Sequence, residues 1–574
     1  EAEADSAVNP NLQTTPIMVA GRLYASTNMG LAVALDPTSG EELWVHNPWT
    51  ALGLEPRGRA NRGVAYWPGD DGGEGGTVFL VFGEHLAALA ADDGTPVPGF
   101  GTEGVVHLAS HPDPRVTTYS WTSAPLVIRD LVIVGSQRMA PNRDFMRAPP
   151  GFVRAYDVRT GELRWTFNPI PGPGEPGHQT WEDGSWEYTG DAGAWTLISG
   201  DEEKGLVYLP LKTTTNDWYG GARPGDNLYG ESLVCLNADT GELVWHYQMV
   251  HHGLWDYDLP AAPVLADITV DGREIEAVIQ VTKQAFTFVF DRVTGEPVWP
   301  IEERPVPAGD VPGEWYSPTQ PFPTRPPPFD LQGITEDDLI DFTPELRAEA
   351  RDILSDFVYG PMFTPPTVKD DGPGGTQGTI LMPGWVGGAN WNGAAVDPET
   401  GFLYVPSVTS PNVTALVPPE RGEHRYVRGL PREVPMPRGL PLLRPPYGRI
   451  TAVDLNAGEN VWMTPNGPGP RDHPALADMD LPWLGQRGRP APLLTRSLLF
   501  LGEGSTAALS ILPIAGGDAF RAYDKRTGEP VWEMELEAGT SGAPMTYMAN
   551  GKQYIVVAIG DGETRGQFVA LALP

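Results

Sequence analysis

Short apolar runs, rich in β-branched and aromatic residues, break off at an Asp, turn through a Thr/Ser-Gly pair and resume toward a Trp. Residues 155–165 read AYDVRTGELRW. Close copies stand at 34–44 (ALDPTSGEELW), 235–245 (CLNADTGELVW), 289–299 (VFDRVTGEPVW), 452–462 (AVDLNAGENVW) and 522–532 (AYDKRTGEPVW). Shortened copies at 88–94 (ALAADDG) and 395–401 (AVDPETG) bring the count to eight. In the full copies the Asp side chain (Asn237 in one) can cap the turn, Gly supplies positive φ, and the next strand begins with a Trp to bury. Short strands and turns repeated in this way predict an all-β fold, an eight-bladed β-propeller with one blade per copy. Each Trp is expected to dock between neighbouring blades, where it buries a large aromatic surface.

Uneven spacing between copies marks two insertions, near 300–375 and 415–447. The first is Pro-rich over 305–328 and then carries helix-start signals over 334–356. Long ordered loops on a propeller build one face, where ligands bind, or decorate the surface. The expected organisation is an N-terminal extension over 1–12, then a single propeller over 13–574. Residues 1–4, Glu-Ala-Glu-Ala, resemble the remnant of a secretion leader and are set aside from the fold.

Composition narrows the class. The 68 Gly and 61 Pro carry no G-X-Y period, and 40% hydrophobic content is ample for a core, which excludes collagen and wholesale disorder. A net charge of −35 repels phosphate backbones and anionic lipid, so no nucleic-acid partner is expected. Cys235 is the one cysteine, which excludes an intrachain disulfide, a CxxCH haem site and a Cys-based zinc cluster. No apolar run reaches the length of a membrane span. A periplasmic or secreted protein is expected.

Four segments carry candidate chemistry: NRGVAYW at 61–67, HHGLWDYDLPAAP at 251–263, QVTKQAFTFVFDR at 280–292 and GGANWNGAAVDP at 387–398. With the Trp-docking repeats they resemble the pyrroloquinoline quinone (PQQ)-dependent alcohol and sugar dehydrogenases. The nearest group is that of membrane glucose dehydrogenase's periplasmic domain and its soluble relatives. The resemblance implies oxidation of an alcohol, polyol or sugar hydroxyl by hydride transfer to PQQ, with electrons leaving to an external acceptor such as a cytochrome, quinone or dye.

Residue by residue, Asp256 matches the family's catalytic base, a carboxylate able to take the hydroxyl proton. Lys283 matches the cation at the quinone oxygens, Arg62 the arginine that pairs with a cofactor carboxylate, and Trp195 the floor on which the cofactor stacks. Thr122, Asn390, Trp391 and Asn392 match polar rim positions. Taken alone, Asp256 is a turn cap and Trp195 one structural Trp among many. Lys283 sits in an apolar run where an unpaired ammonium is costly. His251 and His252 read as bases, substrate contacts or packing residues.

The resemblance also implies Ca²⁺, with Asp256, Thr213, Thr215 and Asn142 as candidate ligands. Relatives place an acidic residue soon after Gly135-Ser136, where this chain reads QRMAPNRD. Ala60 and Asn61 replace a vicinal Cys pair. Gly253 stands where relatives often carry Asp, and a small residue there would widen the entrance for a bulky cyclic secondary alcohol. The rival expectation is a non-catalytic propeller scaffold of the outer-membrane assembly lipoprotein type, which has no need of a buried Lys283.

Overall fold

Each copy of the repeat folds by the same local rules. In the computed structural model, which describes residues 12–58, 60–70, 75–137, 146–505, 516–561 and 563–573, Asp36 Oδ1 accepts from the backbone of Thr38 and Ser39, both at 2.8 Å. Asp157 does the same for Arg159 and Thr160 at 3.0 Å. The Asp therefore satisfies the turn's own donors. The first motif residue pairs with the Trp across the ladder: Ala34 with Trp44, Ala155 with Trp165, Cys235 with Trp245, Ala452 with Trp462 and Ala522 with Trp532. A bulge follows at once in all five. Cys235, fully buried, is thus a small residue facing an indole, and burial raises its thiol pKa.

Among the described residues, eight antiparallel sheets of three or four strands follow one another in sequence order, and the fold is a β-propeller. The first comprises Ile17–Val19, Arg22–Ser26, Ala32–Leu35 and Glu42–His46; the last comprises Met545–Ala549, Lys552–Ile559 and Gln567–Ala572. The Trp of one sheet rests on the repeat Gly of the next. A Cβ on Gly94, Gly241, Gly295, Gly458 or Gly528 would collide with Trp44, Trp165, Trp245, Trp299 or Trp462 respectively. Three indoles also donate to the turn ahead: Trp44 to Ala91 O (3.0 Å), Trp165 to Ala238 O (2.8 Å) and Trp245 to Arg292 O (3.1 Å). The motif copy of the second sheet, 88–94, ends without a Trp, and Val106 of that sheet stands over Gly161 instead. Tyr547 donates to Pro37 O (2.8 Å) and Ser541 to Leu12 O (2.7 Å), joining the last sheet to the start of the chain.

One expectation is corrected. Copies and sheets do not correspond one to one: Ala395–Asp397, Phe402–Val408, Gly448–Asp454 and Glu459–Pro465 form a single sheet. The copy at 395–401 is therefore an inner turn of the sheet that also carries 452–462, and Gly401 faces Asn456 instead of an indole. The last sheet carries no copy, and the Trp532 that precedes it stays 42% exposed.

The two insertions form one unit. Thr367–Val368 and Thr379–Leu381 from the first both pair with Asn412–Val417 from the second. Their helix, Pro344–Leu354, starts at Thr343, whose hydroxyl accepts from Leu346 N at 3.1 Å. It buries Leu346, Ala350 and Leu354 against Ile380, Val413 and Leu440. Trp255 donates to Thr364 O (2.9 Å) and Tyr257 to Pro383 O (2.5 Å), so this unit lies against the 251–258 turn. Among the described residues no helix is long and apolar enough to cross a membrane.

Candidate active site

Two groups of side chains meet where the 251–258 turn, the start of the chain's second sheet and the 387–392 loop converge. The first forms around Arg62, which is 7% exposed. Its guanidinium donates to Thr122 Oγ1 (2.6 Å) and Ser123 Oγ (3.3 Å), and lies 5.4 Å from the ring centre of Trp195 and 4.8 Å from that of Trp391. A cation over two indole faces makes a flat, positively charged, aromatic-walled site. Trp195 Nε1 and Asn392 Oδ1 are buried there without a hydrogen-bond partner among the described residues. Asn392 Nδ2 donates to Pro490 O. Asn390 is spent within its own loop: its amide donates to Val386 O and its Oδ1 accepts from Trp391 N at 2.8 Å.

The second group centres on Lys283, which follows the strand Arg273–Val281 and is 4% exposed. Its Nζ donates to Asp256 O (2.7 Å), Asp256 Oδ1 (3.0 Å) and Asp258 Oδ2 (3.3 Å). Burial works against the ammonium, but the two carboxylates outweigh it and raise the lysine pKa. Burial likewise opposes the charge of Asp258, and Lys283 and Lys212 together keep its pKa lowered. Asp256 is held at φ 56°, a left-handed backbone that a non-glycine residue keeps only when its surroundings impose it. Lys283 O accepts from Gly388 N at 2.9 Å, which ties this group to the loop that carries Trp391. Gln137 is a second link: its Oε1 accepts from Thr122 (3.2 Å) and its carbonyl from Lys212 Nζ (3.2 Å).

The histidines are occupied. His252 bonds Gly225 O through Nδ1 (2.8 Å) and Glu314 through Nε2 (3.1 Å), and burial lowers its pKa. His251 bonds Gln248 and Glu303, each at 3.0 Å. Both hold the turn, whose carboxylates Asp256 and Asp258 lie beside Lys283.

The expected metal ligands fare differently. Thr213 donates its hydroxyl to Glu231 Oε1 (2.7 Å) and its N–H to Asp258 Oδ1 (2.8 Å). Thr215 Oγ1 is buried without a partner among the described residues. Asn142 lies outside the described residues. Among the described residues no group of three or more His, Cys, Asp or Glu is placed to hold a metal ion. Among the described candidates, Thr215 and Asp256 remain as oxygen donors, and calcium takes roughly six to eight oxygens, carbonyls and waters included.

Three participants were not singled out from the sequence. Asp191 and Lys212 form a buried pair at 3.1 Å. Lys212 ends an apolar run, LVYLPLK, the same signal that marks Lys283. Glu231 gave no signal. It is 1% exposed, and burial raises its pKa from 4.5 to about 8, against the Thr213 hydrogen bond and with the repulsion of Asp258. The expected opening at Gly253 is also corrected: a Cβ there would stand 1.7 Å from Glu231 Oε2, so that space is already filled.

A stability prediction follows from Glu231. Its proton is bound more tightly in the fold than in the unfolded chain. Its contribution is therefore fully present below pH 4.5 and is lost as pH rises through about 8. Glu231→Gln, which cannot ionise, should flatten the fall of Tm between those values. Thermal melts of both proteins across that range check this, and parallel curves would refute it.

The chain matches, over residues 1–555, the family described as "PQQ: Glucose/ethanol/alcohol dehydrogenase, beta-propeller domain". It is 34% identical to the quinoprotein glucose dehydrogenase of Escherichia coli (strain K12), over 98% of this chain and 72% of that protein. It is 30% identical to the glycerol dehydrogenase large subunit of Gluconobacter oxydans (strain 621H), over 98% and 78%. Identity to the quinate/shikimate dehydrogenase (quinone) of Acinetobacter baylyi is also 30%, over 96% and 70%. Among solved structures, the quinohemoprotein alcohol dehydrogenase from Comamonas testosteroni shares the fold. The TM-score is 0.66 at 23% identity, over 98% of this chain and 75% of that one.

Proposed function

The chain belongs to the PQQ-dependent glucose/ethanol/alcohol dehydrogenase family and is an oxidoreductase, and from that premise we propose that it oxidises a primary or secondary alcohol, a polyol or a sugar hydroxyl to the carbonyl. The observation that carries this reading is the buried Lys283, paired with Asp256 and Asp258 and joined through Gly388 to the loop of Trp391. A scaffold would pay desolvation for such a group and gain nothing by it.

Bound quinone supplies a carbonyl that accepts a hydride. The chain's own residues suit a flat polyanion: Arg62 and Lys283 offer cations, the Trp195 and Trp391 rings offer stacking faces, and Trp195 Nε1 and Asn392 Oδ1 are polar atoms awaiting partners. Asp256 takes the substrate hydroxyl proton on a carboxylate oxygen. Lys283, paired with that carboxylate at 3.0 Å, fixes its direction. No step is routed through calcium. Asp258, bonded to both Thr213 and Lys283, acts on the base through the lysine.

Electrons then pass to an external acceptor, and the −35 charge favours a basic one. We propose further that the protein works in the periplasm or outside the cell and that 13–574 form one propeller unit. The case for a bulky cyclic substrate loses its basis at Gly253, which Glu231 covers.

A quinone titration followed by absorbance, with dye reduction assayed over alcohols, aldoses and polyols, tests the reading. Saturable quinone uptake with turnover of at least one substrate class is expected. Quinone uptake with no turnover across all three classes would overturn it.

A further inference from the structure

Position 253 has no room for a side chain. A Cβ there would lie 1.7 Å from Glu231 Oε2 and 2.4 Å from Glu231 Cδ. The carboxyl of Glu231 therefore lies directly against the Cα of Gly253, within the turn that carries Asp256. Gly253 is held from another side by Arg223, which is 1% exposed and donates to Gly253 O at 2.6 Å.

Glu231 is itself firmly placed. Its N–H donates to Lys212 O (3.1 Å), its carbonyl accepts from Met249 N (2.9 Å), and its φ is 50°. A bonded path runs from its side chain to the proposed base. Thr213 gives its hydroxyl to Glu231 (2.7 Å) and its N–H to Asp258 (2.8 Å). Asp258 meets Lys283 (3.3 Å), and Lys283 meets Asp256 (3.0 Å). Two residues from different parts of the chain thus share one small volume, and whatever fills it bears on the orientation of Asp256 twice, through the turn and through Thr213.

We propose that Glu231 is a positioning residue for the oxidation and that it functions only with glycine at 253: its carboxyl, seated where a side chain at 253 would stand, props the 251–258 turn and fixes Thr213, so that Asp258 and Lys283 aim Asp256. This rests on the reading of Asp256 as the base. The path ends at the base and not at a substrate contact, so its loss reduces kcat and leaves KM largely unchanged.

The test is a double-mutant cycle on quinone-loaded protein: Glu231→Ser, Gly253→Asp and both together, with Glu231→Gln as the conservative control. Each single change should lower kcat by roughly tenfold or more, in the range of coupled neighbours. Glu231→Gln should stay within about threefold, because it keeps the shape and the acceptor for Thr213. The double variant returns a carboxyl to the same volume from the other side and should recover most of the kcat lost by Gly253→Asp. Additive losses, or Glu231→Ser with unaltered kcat, would overturn the proposal. If wild type binds quinone but turns over nothing, the reading of function fails instead. The 231–253 coupling is then read from the quinone dissociation constants and Tm of the same four proteins, and additive changes there would overturn it equally.

Discussion

Asp256→Asn is expected to lower kcat by roughly 10²–10⁴-fold, the usual contribution of a positioned general base, while quinone uptake persists. Asparagine keeps the size of the side chain, and its Oδ1 can still accept from Lys283 Nζ, now 3.0 Å away. The geometry of the turn should therefore survive, and the loss falls on proton transfer alone. Cofactor occupancy by absorbance and turnover by dye reduction, read on the same samples, separate the two effects. Retention of near wild-type kcat with the site loaded would remove Asp256 from the role of base. His252 could not inherit it, since both its ring nitrogens are already bonded. Asp258 would become the base.

Lys283→Ala should instead cost both properties. Removing one preorganised donor from a buried site typically costs about 10²–10³-fold in kcat. Here the ammonium also lies between two buried carboxylates, Asp256 and Asp258, and is their common partner. Without it the like charges face each other in a low-dielectric site, so one gains a proton or the turn shifts. A cation for the quinone is lost as well, so retention of the cofactor on dilution should fall together with turnover. Undiminished retention would show that Lys283 serves the base and not the quinone.

The turn motif made the propeller legible, because Asp, Gly and Trp each answer a separate local requirement and recur together. The assignment of copies to sheets was not legible at 395–401. That segment has the Asp and Gly of a turn but no Trp to dock, and it folds as the inner turn of a sheet that already has its indole. In the site, Lys283 was readable as a cation inside an apolar run, and Asp256 stood in a distinctive segment. Glu231 was not. It precedes an ordinary apolar strand, and its importance arises only where that strand's start meets Gly253. Gly253 looked like an opening for the same reason: the sequence shows which side chain is missing but not what moves into its place.

The docking of five of the six motif Trp residues on a later Gly has a consequence for modularity. By sequence, Trp165 belongs with the strands before it; by packing, it belongs with Gly241 of the next sheet. Recombination between relatives at the loops between sheets would seat one parent's indole on the other parent's glycine turn. A crossover inside the motif, after Gly and before Trp, keeps every such contact within one parent, at the cost of mixing one strand pair such as Ala155 with Trp165. The heritable unit is therefore offset from the sheet by one strand. One such unit, bounded by Trp299 and Gly458 in contact with each other, encloses both insertions that lie against the 251–258 turn. That surrounding of the candidate site can be exchanged among relatives as a single block.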